Sequence, residues 1–392
     1  MEVMTVKTRD ALGKYWQIAD ALGVTFTYKP TGCDTCTFTM LREFAFAWDD
    51  IGLNSQLIID NKAGDRAWYG RVESIAPTLQ GDLAVIQVAA QGYWWSTYDL
   101  TVQGTVSGTT PEGILTSLIG ATYLPQLSTV ATGLATTGVT GISYQTGNTG
   151  TDNTRIGDAI AAVCSYGDSA LKKVRAYVDA TLGSDGKPRL NTVVVNTVTP
   201  SPRYILRRAN INGIGLSRSL SLVRNRVIVR YKDSTSGAIA NRPARNNTTS
   251  QGNLGVDYTG SAGKTNYIRS EILDMSGLQN GTTSAIADNS GDVKLNEVSR
   301  IRNIATGAIT VTQDYVVYDT VETSEIPNWK VKAGYYLQIP DLFPRLSSVG
   351  SGSLAGDVML ETTFYISETK YDCDTGQLSL TPEVASDLRS LF

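Results

Sequence analysis

The side chains that could do chemistry in this chain of 392 residues are few, and none of them is a histidine. That absence excludes Ser-His-Asp and Cys-His nucleophilic sites, histidine general bases, HExxH zinc sites and two-His-one-carboxylate iron sites. Paired-carboxylate hydrolysis, lysine chemistry and all-oxygen metal sites stay open. The obvious carboxylate pairs are Asp49-Asp50 and Asp372/Asp374. A glycosidase-type pair needs carboxyl groups about 5–9.5 Å apart across a cleft. Adjacent residues on a strand diverge, and Asp372-Cys-Asp-Thr-Gly376 reads as a hairpin turn. Calcium ligands are offered by Asp152-Asn153 and by Asp288-Asn-Ser-Gly-Asp292, but the latter lacks the acid that closes an EF-hand loop and reads as a solvated turn. No GxxxxGK[ST] phosphate loop occurs. The expectation is therefore no catalytic, cofactor-binding or metal-ligating residue, and no cofactor.

The four cysteines are Cys33, Cys36, Cys164 and Cys373, too few for a disulfide framework in so long a chain. Cys33-Asp34-Thr35-Cys36 has redox or half-zinc spacing. However, Cys36, Phe38 and Met40 alternate with Thr35, Thr37 and Thr39, the pattern of a half-buried strand. An offset of three on a regular strand sends the two sulfurs to opposite faces. Structural core cysteines are the expectation. Trp94-Trp95 and Tyr335-Tyr336 could stack on sugars. As strand neighbours, each pair would place one ring inside and one outside, which fits core and subunit-interface packing.

These residues sit in a chain built mainly of strands. Strands are expected at Val24–Tyr28, Asp34–Leu41, Gln56–Asp60, Ala67–Ile75 and Leu83–Gly92, with hairpin loops at Asn61–Asp65 and Leu79–Asp82. A helix is expected after Thr110, with Pro111 in its first turn and Ile114, Leu115, Leu118 and Ile119 along one side. A second runs from about Thr154 to Tyr166, with Gly167 placed to end it. Strands follow at Lys173–Ala180, Leu190–Thr197, Arg203–Leu206, Gly213–Leu222 and Arg226–Tyr231. Residues 232–264 are polar and aperiodic, which predicts a long mobile loop or an insertion that contributes little to the core and is cut first by proteases. The tail returns to strands at Ala308–Asp314, Val316–Val321, Lys330–Pro340, Val358–Tyr371 and Gln377–Leu380. A closing helix is expected from Thr381-Pro382, carrying Val384, Leu388 and Leu391.

Hydrophobic residues make up 41% and charged residues 18%, enough apolar material for real cores and too little charge for disorder. A net charge of −3 argues against binding nucleic acid by overall charge. Charge is uneven: residues 203–245 hold ten Arg/Lys and one acid, whereas 309–392 hold twelve acids and five bases. Such blocks suit subunits packed basic edge to acidic edge. The N-terminus has no apolar signal-peptide core and no stretch spans a bilayer, so synthesis in a reducing cytoplasm is expected.

Three stretches carry a resemblance. They are Tyr69-Gly-Arg-Val-Glu-Ser-Ile75 with Gln91-Gly-Tyr-Trp94; Leu216 to Asp233 around Asn225-Arg-Val-Ile-Val-Arg-Tyr231; and Val331 to Asp341 with Phe364 to Pro382. Their order resembles tail hub (minor tail) proteins of long-tailed bacteriophages, related in fold to the central hub of contractile-tail baseplates. The resemblance implies a mainly β chain with α+β inserts: two tail-tube-like antiparallel β-barrels plus two smaller inserted domains. The expected division is 1–98, first barrel; 99–202, inserted α+β domain; 203–231, start of the second barrel; 232–307, polar loop and second insert; 308–392, rest of the second barrel. It also implies a non-enzymatic homotrimer in the virion tail tip. There, three chains would match a six-fold tube, and no hydrolase domain is expected after Phe392. Implied partners are distal tail and tail-tube proteins, tail fibre or receptor-binding proteins and the tape measure protein, with genomic DNA passing through the lumen without specific binding. The basic block is then expected to face neighbours, and Asp314, Asp319, Glu322, Glu361 and Glu368 to line the channel. The alternatives are a receptor- or carbohydrate-binding tail-tip module and a carboxylate-dependent cell-wall hydrolase.

Overall fold

The computed structural model describes residues 3–9, 14–41, 51–80, 83–102, 106–119, 127, 134, 138–139, 144–146, 154–197, 201–211, 214–218, 223–258, 263, 265–276, 281–299, 303–306, 308–311, 316–340 and 363–382. The first unit is made of β1 (Met4–Arg9), β2 (Tyr15–Gln17), β3 (Ala21–Lys29), β4 (Gly32–Met40), β5 (Gln56–Asn61), β6 (Arg66–Gln80) and β7 (Leu83–Gly92). All five strands expected here are present, while β1 and β2 carry no strand expectation. Gln80 pairs with Leu83 across the expected β6–β7 turn, and Gly64 takes φ +89° in the β5–β6 loop.

The first insert holds β8 (Val106–Gly108), α1 (Pro111–Leu118), β9 (Tyr144–Thr146), α2 (Ile156–Ser165), β10 (Lys172–Leu182) and β11 (Pro188–Asn196). Thr110 caps α1 by accepting from the Gly113 amide, and Pro111 occupies the first turn. α2 ends differently from the expectation. Tyr166 closes it in an extended conformation, and Gly167 serves instead as a contact point: a Cβ there would overlap Val293.

After β12 (Pro202–Ile205) and β13 (Gly215–Arg218) comes β14 (Arg226–Lys232), followed by β15 (Ile239–Asn241), β16 (Arg245–Asn246), α3 (Thr248–Asn253), β17 (Ser270–Met275), α4 (Ser284–Val298) and β18 (Asn303–Thr306). β14 does not join the large sheet, as placement in the second barrel requires. It pairs parallel with β17 and antiparallel with β15 and β16 in a separate four-stranded sheet. Its alternation explains why: Val227, Val229 and Tyr231 are buried on the face that packs α4. Of the loop and the insertion expected here, residues 239–253 take the form of a folded insertion. They form β15, β16 and α3, and the buried Gln251 amide donates to the Asn225 carbonyl at 3.1 Å.

The chain closes with β19 (Ile309–Val311), β20 (Val316–Asp319), β21 (Ser324–Pro327), β22 (Tyr336–Gln338), β23 (Thr363–Asp372) and β24 (Gln377–Pro382). Thr381-Pro382, expected to open a helix, belongs to β24; Val384, Leu388 and Leu391 lie outside the described residues.

The molecule is mainly β. One large mixed sheet runs β2-β1-β5-β6-β7-β4-β3-β23-β22-β12-β20-β21, with β10, β11, β19 and β24 attached. Among the described residues neither half closes into a barrel. The two strand-rich units are halves of one sheet, joined where β3 pairs antiparallel with β23, Phe26 opposite Tyr371. A single isolated bridge, Ile211 to Val311, brings β19 back toward the chain leaving β12. One buried cluster runs through both halves, from Trp68 and Met40 to Leu337 and Phe364. A second lies under the inserts, joining Ile114 and Ile160 to Val227 and Val229. No helix among the described residues is long and apolar enough to cross a membrane.

Candidate functional site

The residues with chemical potential are placed one by one in structural roles. Asp372 closes the β23–β24 hairpin by accepting from the Asp374 and Thr375 amides at 2.9 and 3.1 Å. Asp374 accepts from the Gly23 amide at 2.8 Å. Asp288 and Asp292 are not in a loop, as expected, but in α4. Asp288 takes Arg242 at 2.6 Å and Arg245 at 2.9 Å, and these pairs hold its carboxyl below the usual range. Asp49-Asp50 and Asp152-Asn153 lie outside the described residues. Among the described residues no group of three acidic or cysteine side chains is arranged to hold a metal.

Cys33 and Cys36 correct the opposite-faces expectation. Along β3, one residue separates Phe26 and Tyr28; their partners on β4, Cys36 and Cys33, are separated by two. This β-bulge at Asp34-Thr35 turns both sulfurs into the same core, where both are buried. The Thr27 hydroxyl holds the bulge, accepting from the Thr35 amide at 3.0 Å. Burial, reinforced by Asp179, pushes the Cys33 thiol up to about 12, and burial also raises Cys36 and Cys373. These are inert thiols at neutral pH. Trp94 is buried and Trp95 exposed, one inside and one outside as expected, but they lie in a 3-10 turn, Tyr93–Tyr98, rather than on a strand. The Trp95 indole donates to Asp34 at 3.1 Å. Tyr335 and Tyr336 are both half-buried, so neither pair forms an open stacking platform.

The densest polar cluster lies where the first insert meets the large sheet. Asp179 on β10 accepts from Lys332 Nζ at 2.7 Å and from the Thr181 amide and hydroxyl at 3.0 and 2.7 Å. Burial alone would raise its pKa, but Lys332 and Thr181 outweigh burial and the net shift is downward. The ring of Tyr335 is flanked by the guanidinium groups of Arg175 and Arg203, each 4.4 Å from its centre. Arg203 donates to Asp319 at 3.0 Å. Gly334, at φ +84°, is required here because a Cβ would fall on the Arg175 guanidinium. The cavity beside this cluster measures about 10 Å³, room for one water and no ligand. The cluster therefore fastens the insert and has no binding chamber.

Two features face outward. The outer face of the β15-β14-β17 sheet forms an open groove of about 510 Å³ lined by Ile228, Arg230, Ile239, Ala240, Asn241 and Ile272. The β20–β21 hairpin projects Val321 into solvent, with Glu322 and Glu325 exposed beside it. Asp319, expected in a channel lining, is instead buried at the base of this hairpin; its carboxylate accepts from the Val321 and Glu322 amides at 2.8 and 3.3 Å. Asp314 and Glu361 lie outside the described residues. The basic block is also partly spoken for within the chain. Arg203, Arg230, Arg242 and Arg245 pair with Asp319, Asp274, Asp288 and Asp292. Sequence reasoning missed the groove because β17 carries no strand signal, although the alternation of β14 announces one outward face.

No protein-family model and no curated protein sequence matches the chain. Solved structures do. A prophage tail protein, gp18, from Listeria monocytogenes superimposes with a TM-score of 0.57 at 9% identity, covering 99% of this chain and 97% of that one. The 43 kDa tail protein of prophage MuSo2 from Shewanella oneidensis gives 0.51 at 11%, covering 98% and 99%. The tail protein from Neisseria meningitidis gives 0.51 at 12%, covering 97% of each chain. The fold of this chain is that of these phage tail proteins, from one end to the other.

Proposed function

We propose that the chain is a structural hub protein of a bacteriophage tail tip. Three copies surround the DNA channel at the distal end of the tail tube and carry the tail-tip or receptor-binding proteins. The observation that carries this reading is the end-to-end match to three phage tail proteins with almost nothing left over on either side. The absence of histidine and the structural employment of Asp372, Asp374, Asp288 and the cysteines support a non-enzymatic role.

In this reading, residues 1–98 and 308–392, with β12, form the two tube-like units that present six similar faces in a trimer. Residues 99–202 and the segment from β13 to β18 are the inserts that reach neighbours. Tube, distal tail, fibre and tape measure proteins are the partners, and the virion tail tip is the location. A symmetry-averaged image of the intact tail tip tests this directly. Three copies in a ring around the channel are expected; six copies at that level, or density for this fold elsewhere in the particle, would overturn the reading.

A further inference from the structure

The groove and the hairpin tip each carry exposed apolar side chains and are complementary in charge. We propose that copies of this chain associate head to tail, the β20–β21 tip of one copy seated in the isoleucine groove of the next. The proposal rests on the self-assembly in the proposed function and names the surfaces that perform it.

The groove is built from outward positions of neighbouring strands. Ile228 on β14 lies directly opposite Ile272 on β17, and Lys232 opposite Ile239 on β15. Ile272 and Ile239 are 64% and 56% exposed, in a concavity rimmed by polar groups. Such a patch marks an interaction surface. The tip carries Val321, 72% exposed, so within one chain the knob and the groove do not cover each other.

The tip is also held ready. Asp319 pairs with Ser324, leaving a four-residue loop from Thr320 to Thr323. The Asp319 carboxylate holds the Val321 and Glu322 amides, and the Thr320 amide and hydroxyl are bonded to the Arg203 carbonyl at 2.8 and 3.0 Å. Thr323 sits at φ +52°, a conformation the loop imposes. A preset loop gives up little entropy on docking.

Charge selects this occupant. The groove face carries Arg226, Arg230 and Lys232 against Asp274, whereas the hairpin exposes Glu322 and Glu325 and has no base between Val316 and Asn328; Asp319 is buried against Arg203. Arg230 lies 3.8 Å from Asp274, beyond hydrogen-bonding distance, with half of each side chain in solvent, so its fork can take a carboxylate from a second copy. Because knob and groove are different patches, the contact is heterologous, and in the proposed three-fold assembly it closes into a ring.

The test uses the full chain. Val321→Cys with Ile272→Cys, mildly oxidised, is expected to give a ladder of covalent multimers on a non-reducing gel. Either single variant, like the native chain with its own cysteines, gives no ladder. In sedimentation, Glu322→Arg weakens self-association about tenfold, and adding Arg230→Glu restores it. All four positions are exposed or half-exposed, and an unchanged melting temperature confirms folding. A double-cysteine chain that stays monomeric, or a charge swap that fails to rescue, overturns the proposal. So does a groove that binds another tail protein while self-association persists without it. Multimers that form without the ladder would refute this interface and leave the hub reading standing. A tail-tip image lacking the chain would refute the hub reading itself.

Discussion

Asp179 is the residue on which the attachment of the first insert turns. It is a nearly inaccessible carboxylate whose charge is balanced by one ammonium, that of Lys332, 153 positions away in sequence. Removing the ammonium would strand that charge. Lys332→Ala is expected to lower stability by about 2–3 kcal/mol, less than for a fully buried pair because Lys332 is partly solvated. A urea titration of the purified chain measures it. The pH dependence has a definite sign. The folded carboxyl has its pKa lowered relative to the unfolded chain, where it is roughly 3.9. Its stabilising contribution is therefore fully present above that unfolded value and is lost as pH falls through the folded one. Asp179→Asn should flatten the acid limb of the stability profile; equal slopes for variant and native chain would refute the assignment. Nearby, Gly334→Ala brings a methyl onto Arg175 and forces a side chain into a left-handed backbone, a change expected to cost about 1–3 kcal/mol.

Elements were legible in the sequence wherever period and boundary chemistry agreed. β3 to β7 alternate cleanly, and α1 announces itself with Thr110 and Pro111. What local pattern could not supply was partnership. The strand Arg226–Tyr231 is readable, but its pairing with β17, more than forty residues on, is decided by α4, whose sequence is too polar to show a buried stripe. The bulge that reunites Cys33 and Cys36 depends on the register of a neighbouring strand, which a sequence does not display. The same gap left residues 239–253 readable as either a loose loop or an insertion, since their stability comes from distant partners: Asp288 for Arg242 and Arg245, and Asn225 for Gln251. The free chain should therefore resist protease within 239–253. Asp288→Ala, which leaves two arginines without their shared acceptor, should open the segment to cleavage at unchanged activity of the protease on a control substrate. Early cutting of the native chain at these positions would show the ion pairs to be ornamental. The candidate docking groove was invisible for the same reason as β17.

At the scale of the whole molecule, the continuous sheet and the shared core make the two halves mechanically one. Because Phe26 and Tyr371 pack against each other across the β3–β23 seam, with ring centres 5.3 Å apart, neither half can melt without exposing the other's core. A single cooperative transition is expected for probes placed in β5 and in β22, and separated transitions would contradict it. The distribution of charge leads to the final expectation, which concerns DNA. A wall that DNA must slide past cannot grip phosphates, because each bound phosphate releases counterions and adds a steep dependence of affinity on salt. The block at 203–245 looks at first like such a grip, with ten bases and one acid. Folding blunts it: Arg203, Arg242 and Arg245 meet Asp319, Asp288 and Asp292, acids drawn from the rest of the chain. An arginine already facing a carboxylate has less to gain from a phosphate. The isolated chain should thus show no retention of duplex DNA in a mobility shift at ~0.15 M salt. Its binding at lower salt should fall with a log–log slope corresponding to no more than about two released counterions. Asp288→Ala, which frees Arg242 and leaves Arg245 only Asp292, should strengthen low-salt binding and steepen that slope. A native chain that holds duplex tightly at physiological salt would mean that these arginines face the nucleic acid, and would make DNA a ligand of the protein.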